Sequence, residues 1–353
     1  MVGRIGGGRL NPVTPETDVA AAVGGGTTIG AFAPAGAGFF IPARQVGILT
    51  PATNFSQPGG VAFQGNYAYV TSNNDDRLNI VDIRDPAAPT EVGTVTNAAL
   101  DFADRLVVRG QWAYVSALNA TTIQIVNIAA PTGPALAGAM GTGAQYRDLA
   151  LGDDGDTLFA VSSGDTLLRA FDVSDRSTPT TISTLTDAVN FNGATGIAVS
   201  GDYAFIAADA GQRLVVVDIS NPASMAIVGS VIDAVNLIDA SKVVVQGNFA
   251  YVGNATATPS LVTVVDITTK TAPVVAGSVS LTGGICRDIK VQGEFVYAAL
   301  GDRAVSVNVA DPTAPALASS ATGTVARGIA TQGTTVGWLD DTATDADSLR
   351  MWA

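Results

Sequence analysis

The sequence predicts an all-β fold, a β-propeller in which seven four-stranded antiparallel blades form a closed ring. Three observations support this prediction: a glycine turn that recurs about every 45 residues, four short strand-like segments in each repeat, and no sustained helical periodicity. A repeat of this length with turn and strand signals is typical of a propeller or a solenoid. The turn glycines are Gly65, Gly110, Gly155, Gly201, Gly247, Gly293 and Gly333.

The first repeat shows the four strands of one blade. We expect strands over 61–63, 67–71, 78–83 and 92–96, with Gly65 and Asn66 forming the turn between the first two. Glycine accepts the positive φ that a tight hairpin turn needs. The Val, Ile and aromatic residues of these segments suit pleated, half-buried strands.

The third strand carries the most regular signature. Its sequence in the first repeat, Leu-Asn-Ile-Val-Asp-Ile over 78–83, returns as Leu-Val-Val-Val-Asp-Ile over 214–219 and as Val-Thr-Val-Val-Asp-Ile over 262–267. Together with the Tyr-Ala-Tyr-Val strand at 67–70, this pattern resembles the LVIVD-repeat β-propellers, a family met in bacterial and archaeal surface proteins. The resemblance covers roughly residues 44–353 and implies the fold, but it implies no particular activity, because propellers carry many unrelated functions.

An acidic residue recurs near the end of this third strand, at Asp82, Asp172, Asp218 and Asp266. We expect each carboxylate to cap the turn that follows by accepting hydrogen bonds from nearby backbone amides. A ligand-binding role for these carboxylates is the alternative.

The two ends of the repeat array predict how the ring closes. The last repeat supplies strand-like segments over 328–331, 335–339 and 348–352 but no fourth strand. Residues 45–50 match the fourth strand of the first blade, residues 91–96, almost position for position, and they have no blade of their own. Because a ring must satisfy its exposed edge, we expect the strand at 45–50 to complete the seventh blade.

The composition limits the kinds of partner that the protein is expected to bind. The 353 residues are 47% hydrophobic and 14% charged, with a formal net charge of −13, which argues against binding to nucleic acid. No apolar run approaches the ~20 residues of a membrane span, and residues 1–10 lack the pattern of a Sec signal peptide. The single cysteine, Cys286, is expected just before an inner strand as a small buried residue.

The residue inventory argues against an enzyme. The chain has no histidine, no paired-cysteine motif and no Walker loop. Histidine is the commonest general base and metal ligand, so we expect no catalytic residues, no metal site and no cofactor. Acidic clusters at 75–76, 153–156 and 340–341 are interpreted as solvated turn acids, with acid–base catalysis by a carboxylate pair as the alternative.

One constellation of charges is predicted near the channel. Alignment on the turn glycines brings the residues five positions before them into one register, and Asp148 joins it if the third blade has two extra turn residues. Small residues suit the crowded axis, so the charged exceptions and their neighbours should cluster at one channel mouth. They are Arg105, Arg147, Asp148, Lys242, Arg287, Asp288, Lys290 and Arg327. Two interpretations stay open: a self-neutralising ion network, or an anion-binding funnel for a carboxylate or sugar acid.

Residues 1–43 differ in composition from the repeats in 44–353. They are rich in Gly, Ala, Thr and Pro, and we expect an extended arm that is held by a neighbouring subunit or by the ring. The expected anchor is the apolar set Phe32, Phe39, Phe40 and Ile41. A short lead-in that covers the ring edge is the equally weighted alternative.

These features favour a noncatalytic structural or interaction protein, present in several copies in a larger assembly such as a phage virion (tail, fibre or capsid decoration). Its expected partners are protein subunits and a surface glycan, and its expected location is the virion or an extracellular surface. The alternatives are a cell-surface adhesion or carbohydrate-binding propeller and, third, a hydrolase or lyase acting at the channel mouth.

Overall fold

The computed structural model of the chain describes residues 45–50, 55–255, 259–322, 325–341 and 347–352. Over these ranges the chain forms seven four-stranded sheets, every one with antiparallel pairing. The predicted all-β propeller is therefore confirmed. The predicted arm, with its anchor residues Phe32, Phe39, Phe40 and Ile41, lies outside the described residues.

Blades 1 to 3 are built from consecutive strands. Blade 1 contains β2 (Pro58–Gln64), β3 (Tyr67–Ser72), β4 (Arg77–Asp82) and β5 (Thr90–Thr96). Blade 2 contains β6 (Ala103–Arg109), β7 (Trp112–Ala117), β8 (Thr122–Asn127) and β9 (Ala135–Met140). Blade 3 contains β10 (Tyr146–Leu151), β11 (Thr157–Ser162), β12 (Leu167–Asp172) and β13 (Thr180–Thr186).

Blades 4 to 6 repeat the plan, and blade 7 combines strands from both ends of the described chain. Blade 4 contains β14 (Ala194–Ser200), β15 (Tyr203–Ala208), β16 (Arg213–Asp218) and β17 (Ala226–Ile232). Blade 5 contains β18 (Ala240–Gln246), β19 (Phe249–Asn254), β20 (Ser260–Asp266) and β21 (Val274–Leu281). Blade 6 contains β22 (Cys286–Gln292), β23 (Phe295–Leu300), β24 (Arg303–Asn308) and β25 (Ala316–Thr322). Blade 7 contains β26 (Val325–Gln332), β27 (Thr335–Asp341), β28 (Ser348–Trp352) and β1 (Gln45–Leu49), and two short 3₁₀ helices, Ala98–Leu100 and Pro222–Ser224, complete the regular structure described.

Apolar side chains fill the spaces between neighbouring blades. The cluster between blades 3 and 4, for example, joins Phe159 and Leu168 to Ile206 and Val215, and all four are at most 2% exposed. Burial of each such aliphatic or aromatic side chain contributes about 1.5–3 kcal/mol. The inner strand of each blade, which is the first of its four in blades 1 to 6, faces the central channel.

The aspartates at the end of the third strands cap turns, as predicted. The Asp82 carboxylate accepts a hydrogen bond from the Arg84 backbone N–H at 3.0 Å, and Asp172, Asp218 and Asp266 do the same for the residue two positions on, at 2.8–2.9 Å. A hydrogen bond from the Ser220 hydroxyl, together with the bond from the Ser220 backbone N–H, holds the pKa of the Asp218 carboxyl below its usual range. Asn127 and Asn308 make the same contact where they replace the aspartate.

Glutamines link the inner hairpins of neighbouring blades. The Gln64 side chain donates to the Gly110 carbonyl and accepts from the Gly110 N–H, both at 2.7 Å, and Gln246 repeats the pair with Gly293. Gln332 of blade 7 donates to the Gly65 carbonyl of blade 1 at 2.8 Å. The same donated hydrogen bond therefore also links blade 7, which contains β1 and β28, to blade 1.

The seventh blade closes as predicted. β1 pairs antiparallel with β28, with Ile48 opposite Arg350 and Leu49 opposite Leu349. Gly47 also copies Gly93 of blade 1: a Cβ atom on either would lie 2.0–2.1 Å from a proline carbonyl of the next blade, so only glycine fits. This close approach explains why residues 45–50 resemble a fourth strand in sequence.

Deletion of residues 45–50 should lower the melting temperature of the whole ring in one cooperative transition, because β28 then exposes an unpaired edge. Differential scanning calorimetry measures this effect. Ile48→Ala is the matched control: its side chain is 47% exposed, so it should change the free energy of unfolding by less than about 0.5 kcal/mol. Leu349→Ala, at a buried position, should cost about 2–5 kcal/mol. An unchanged melting temperature after the deletion contradicts the closure.

Candidate functional site: the channel mouth

The inner strands bring five cationic side chains to one mouth of the channel, at the face where these strands begin. The mouth holds a cavity of about 460 Å³. The cationic residues that line it are Arg105, Arg147, Lys242, Arg287 and Arg327. The carboxylates that line it are Asp104 and Asp209, so positive charge is in excess at the mouth.

A second cavity, of about 330 Å³, lies along the channel behind the mouth. Arg105 and Lys242 line both cavities and therefore lie at the boundary between them. Asp148, Asp288 and Lys290 line only the deeper cavity. The eight predicted residues thus gather at the channel, but at two depths.

Two successive positions of the inner strands form two rings of residues. The upper ring consists of Gly59, Asp104, Arg147, Thr195, Ser241, Arg287 and Arg327, all of which line the mouth. The lower ring consists of Gly60, Arg105, Asp148, Gly196, Lys242, Asp288 and Gly328. The upper ring has three arginines against one aspartate, whereas the lower ring balances two cations with two carboxylates.

The lower-ring carboxylates are engaged in structural hydrogen bonds. Asp288 accepts from the Ile329 N–H of blade 7 at 3.0 Å and pairs with the Lys290 ammonium at 3.1 Å. Asp148 accepts from the Ile197 N–H of blade 4 at 3.1 Å. Burial raises the pKa of the Asp288 carboxyl, but Lys290 and Arg105 outweigh burial and lower it overall. Asp148 is equivalent to Asp288 because the hairpin of blade 3 is two residues longer, which was the condition for placing Asp148 in this register.

Arg105 reaches across the channel. Its Nη2 donates to the Arg287 carbonyl at 2.8 Å, which joins blade 2 to blade 6. Its side chain is only 16% exposed, yet Nε has no hydrogen-bond acceptor and lies 3.9 Å from the Asp104 carboxylate. Burial lowers the pKa of the guanidinium, but Asp104, Asp288 and Asp148 outweigh it and raise the pKa overall.

At Lys242 the effects that lower the pKa outweigh those that raise it. Its Nζ donates to the Thr195 carbonyl of blade 4 at 2.8 Å. Burial and the nearby Arg105 guanidinium lower the pKa of the ammonium to about 8, against the opposing effect of Asp148, Asp104 and Asp288. A substantial fraction of Lys242 is therefore a neutral amine in mildly alkaline solution.

The three upper-ring arginines are less completely paired. Arg327 pairs with Asp341, and Arg147 donates to the Gln145 side-chain oxygen at 3.3 Å. The buried Nε of Arg287 has no acceptor within the part of the chain that the structure describes, and burial, Arg327 and Arg105 lower the pKa of its guanidinium despite Asp341. The charged form of Arg287 is thus disfavoured by its surroundings in the folded chain.

Two sequence predictions need correction. Asp340 and Asp341 are not turn acids, because both lie in β27 and pair with Arg350 and Arg327. Asp340 is fully buried, and burial raises the pKa of its carboxyl in spite of Arg350. Cys286 is buried as expected, but it is the first residue of β22 rather than its predecessor.

The sequence alignment missed the part of the mouth that follows the second strands. Asp209 and Asn73 both lie directly after a second strand and line the cavity. Burial raises the pKa of the Asp209 carboxyl, and the Asn73 side-chain oxygen is buried without a hydrogen-bond donor. Alignment of the residue after each second strand would have shown them, since Leu118, Ser163 and Ala255 occupy the same position and also line the mouth.

The mouth can hold an anion by charge and by donated hydrogen bonds. Guanidinium groups form strong, charge-assisted bonds to carboxylates and phosphates. Within the described ranges, no group of three or more acidic, histidine or cysteine side chains could hold a metal ion. The same part of the chain has no helix long and apolar enough to cross a bilayer.

The low pKa of Lys242 predicts how the free energy of unfolding depends on pH. Between pH 8 and 10.5 the unfolded chain binds this proton more tightly than the folded chain, so protonation of Lys242 opposes folding below about pH 8. Native protein should therefore gain stability relative to Lys242→Met as the pH rises through this window. Urea titrations at several pH values measure the difference. Arg84→Met is the control, since a guanidinium does not titrate there, and a pH-independent difference for Lys242→Met contradicts the assignment.

The family model of the LVIVD repeat matches five segments: 58–97, 102–142, 193–233, 239–280 and 283–322. They correspond to blades 1, 2, 4, 5 and 6. Blade 3, with its longer hairpin, and blade 7, which joins two distant parts of the chain, are not matched. A search of curated protein sequences finds no match.

Several solved structures share the fold. Hydrazine synthase of Kuenenia stuttgartiensis aligns at a TM-score of 0.67 with 13% identity, over 84% of this chain and 96% of that one. The periplasmic gluconolactonase PpgL of Pseudomonas aeruginosa aligns at 0.67 with 14% identity, over 84% and 89%. A protein of Lactobacillus plantarum aligns at 0.66 with 18% identity, over 76% and 85%.

At these identities the structural likeness shows the fold alone. The family match is more specific, because its five segments together cover more than half of the 353 residues. The chain belongs to the LVIVD-repeat family of β-propellers.

Proposed function

We propose that this protein is a noncatalytic interaction protein whose channel mouth binds an anionic group, the carboxylate of a sugar acid or of an acidic partner. The observation that carries the proposal is the convergence of five cationic side chains in the mouth of a protein whose net charge is −13. A concave site with convergent polar groups is the usual form of a ligand pocket.

The way charges are paired within each ring supports this proposal over a purely structural ion network. In the lower ring, carboxylates and cations balance, and Asp148 and Asp288 hold neighbouring blades together. In the upper ring, the buried Nε of Arg287 has no acceptor among the described residues, and burial together with Arg327 and Arg105 lowers the pKa of its guanidinium. An anion bound there would relieve repulsion that the folded chain otherwise carries.

The finer part of the proposal places the chain in several copies in a larger particle such as a phage virion, with the propeller displayed for recognition. It rests on the glycine-rich composition of residues 1–43 and on the apolar residues near their end. A cell-surface, carbohydrate-binding propeller is the second candidate, and the cationic mouth favours an acidic glycan for it. One structural neighbour is named a gluconolactonase. Gluconolactone is the cyclic ester of a sugar acid, gluconic acid, so gluconate is a useful probe of the mouth.

Isothermal titration calorimetry with glucuronate and gluconate, compared with uncharged glucose, tests the mouth. Both acids should bind and glucose should not. Arg147→Ala should weaken binding about tenfold, since a hydrogen bond to a charged group contributes about 1.5–3 kcal/mol. This variant should keep its melting temperature, because the hydrogen bond that Arg147 donates to Gln145 is exposed to solvent.

Arg84→Ala is the matched control for the calorimetry. It removes one positive charge from a side chain that is 67% exposed and paired with Asp82, away from the mouth. It should leave the affinity unchanged. Equal losses in the Arg84 and Arg147 variants, or no preference for the acids over glucose, contradict anion binding at the mouth.

The assembly part is tested separately by light scattering after size exclusion. The full chain should form a defined oligomer, and a chain that starts at Ala43 should be a folded monomer, because residues 1–42 would carry the subunit contacts. Circular dichroism of the shortened chain is the control for folding. Two monomers of equal stability contradict self-assembly through the arm.

A further inference from the structure

Lys242 is a channel residue whose amine is not fully used by anion binding or by the contact between neighbouring blades. It lies at the boundary of the two cavities together with Arg105. One of its N–H groups donates to Thr195, which leaves the rest of the amine to meet a molecule in the cavity. A lysine that is desolvated and close to another cation is the usual form of an amine that attacks carbonyl groups.

The sequence contains only three lysines, and the other two are differently engaged. Lys290 pairs with Asp288 at 3.1 Å in the deeper cavity. Lys270 donates to the Ile267 carbonyl at 2.6 Å and lies 5.6 Å from the centre of the Tyr203 ring, outside both cavities. Only Lys242 combines access to the mouth with guanidinium groups that can hold a carboxylate.

We propose that Lys242 captures the carbonyl carbon of a small 2-oxo acid as an imine while Arg105 and the upper-ring arginines hold the adjacent carboxylate. The proposal rests on the proposed function, because it uses the same anion site and names its ligand class. A 2-oxo acid fits this arrangement since its carboxylate and carbonyl carbon are neighbours, as are Arg105 and Lys242 at the boundary between the cavities.

The step balances without any further reactant. The neutral Lys242 amine forms a bond to the carbonyl carbon, and both amine protons pass to the carbonyl oxygen, which leaves as water. The product is a carbon–nitrogen double bond between Lys242 and the ligand. The reaction is reversible, since water returns the oxo acid and the amine, so the protein binds the ligand covalently without converting it.

Reductive trapping tests the proposal. The full-length protein is incubated at pH 8 with pyruvate and sodium cyanoborohydride, which reduces an imine to a stable secondary amine, and peptide mass spectrometry locates the adduct. Lys242 should be labelled about tenfold faster than Lys270, because an amine with a pKa near 8 is far more often neutral than an ordinary lysine. Lys242→Met should abolish this labelling, and Lys270→Met should leave it intact.

Two further experiments test whether the reaction depends on the carboxylate of the ligand or only on the reactivity of the Lys242 amine. Acetone, a ketone without a carboxylate, should label Lys242 at least about tenfold more slowly than pyruvate, because it gains no charge-assisted hydrogen bond. Arg287→Ala should slow the pyruvate reaction and not the acetone reaction. Arg287 suits this experiment because its Nε has no acceptor among the described residues, and circular dichroism of Arg287→Ala is the control for folding.

The outcomes distinguish this inference from the proposed function. If pyruvate binds in calorimetry but no adduct forms at Lys242, the imine is overturned and anion binding stands. If acetone and pyruvate label Lys242 equally and glucuronate does not bind, the proposed anion site and the oxo-acid assignment both fail. Selective labelling by pyruvate that Arg287→Ala weakens supports the proposal.

Discussion

Pairing between β1 and β28 is the interaction on which the rest of the structure depends. A propeller blade is stable only when both of its faces are covered by neighbours, so an open seventh blade would expose two apolar faces and an unpaired edge. The pairing fixes the number of blades, and that number fixes the width of the channel. Residues that are far apart in the chain, such as Arg105 and Arg287, then meet across the axis.

The crowded axis determines which side chains can carry charge there. A Cβ atom at Gly60 would lie 2.8 Å from the Asp104 carbonyl oxygen, and one at Gly196 would lie 2.4 Å from the Ser241 carbonyl oxygen. The glycines of the lower ring therefore allow the inner strands of neighbouring blades to approach closely at the axis. The four charged side chains of that ring balance one another, because an unpaired charge at this depth would be costly. At the upper ring, one residue earlier in each inner strand, the channel opens into the larger mouth cavity. There three arginines face one aspartate, so positive charge is in excess.

Much of this fold follows from the sequence because its determinants are local and repeated. The turn glycines, the strand periodicity and the capping aspartates each act within a few residues, so a repeat shows them several times over. Closure was also predictable, since Gly47 copies the close contact of Gly93 and leaves a trace in the sequence. The burial of Asp340 and the ion pairs of Asp340 and Asp341 were not predictable, because their partners, Arg350 and Arg327, act across strands in the most divergent blade.

The depth of each charge was the main feature that alignment could not supply. Register places Arg105, Lys242 and Asp288 at one level, yet Arg105 and Lys242 reach the mouth whereas Asp288 lines only the deeper cavity. The difference comes from side-chain reach: arginine and lysine extend far from the backbone, and a carboxylate stays close to it and bonds to the next blade. Long cations can thus extend toward solvent from the ring in which aspartates serve the fold. A self-neutralising network and the proposed anion site therefore lie at successive levels of the same channel, and the two interpretations of the sequence do not exclude each other.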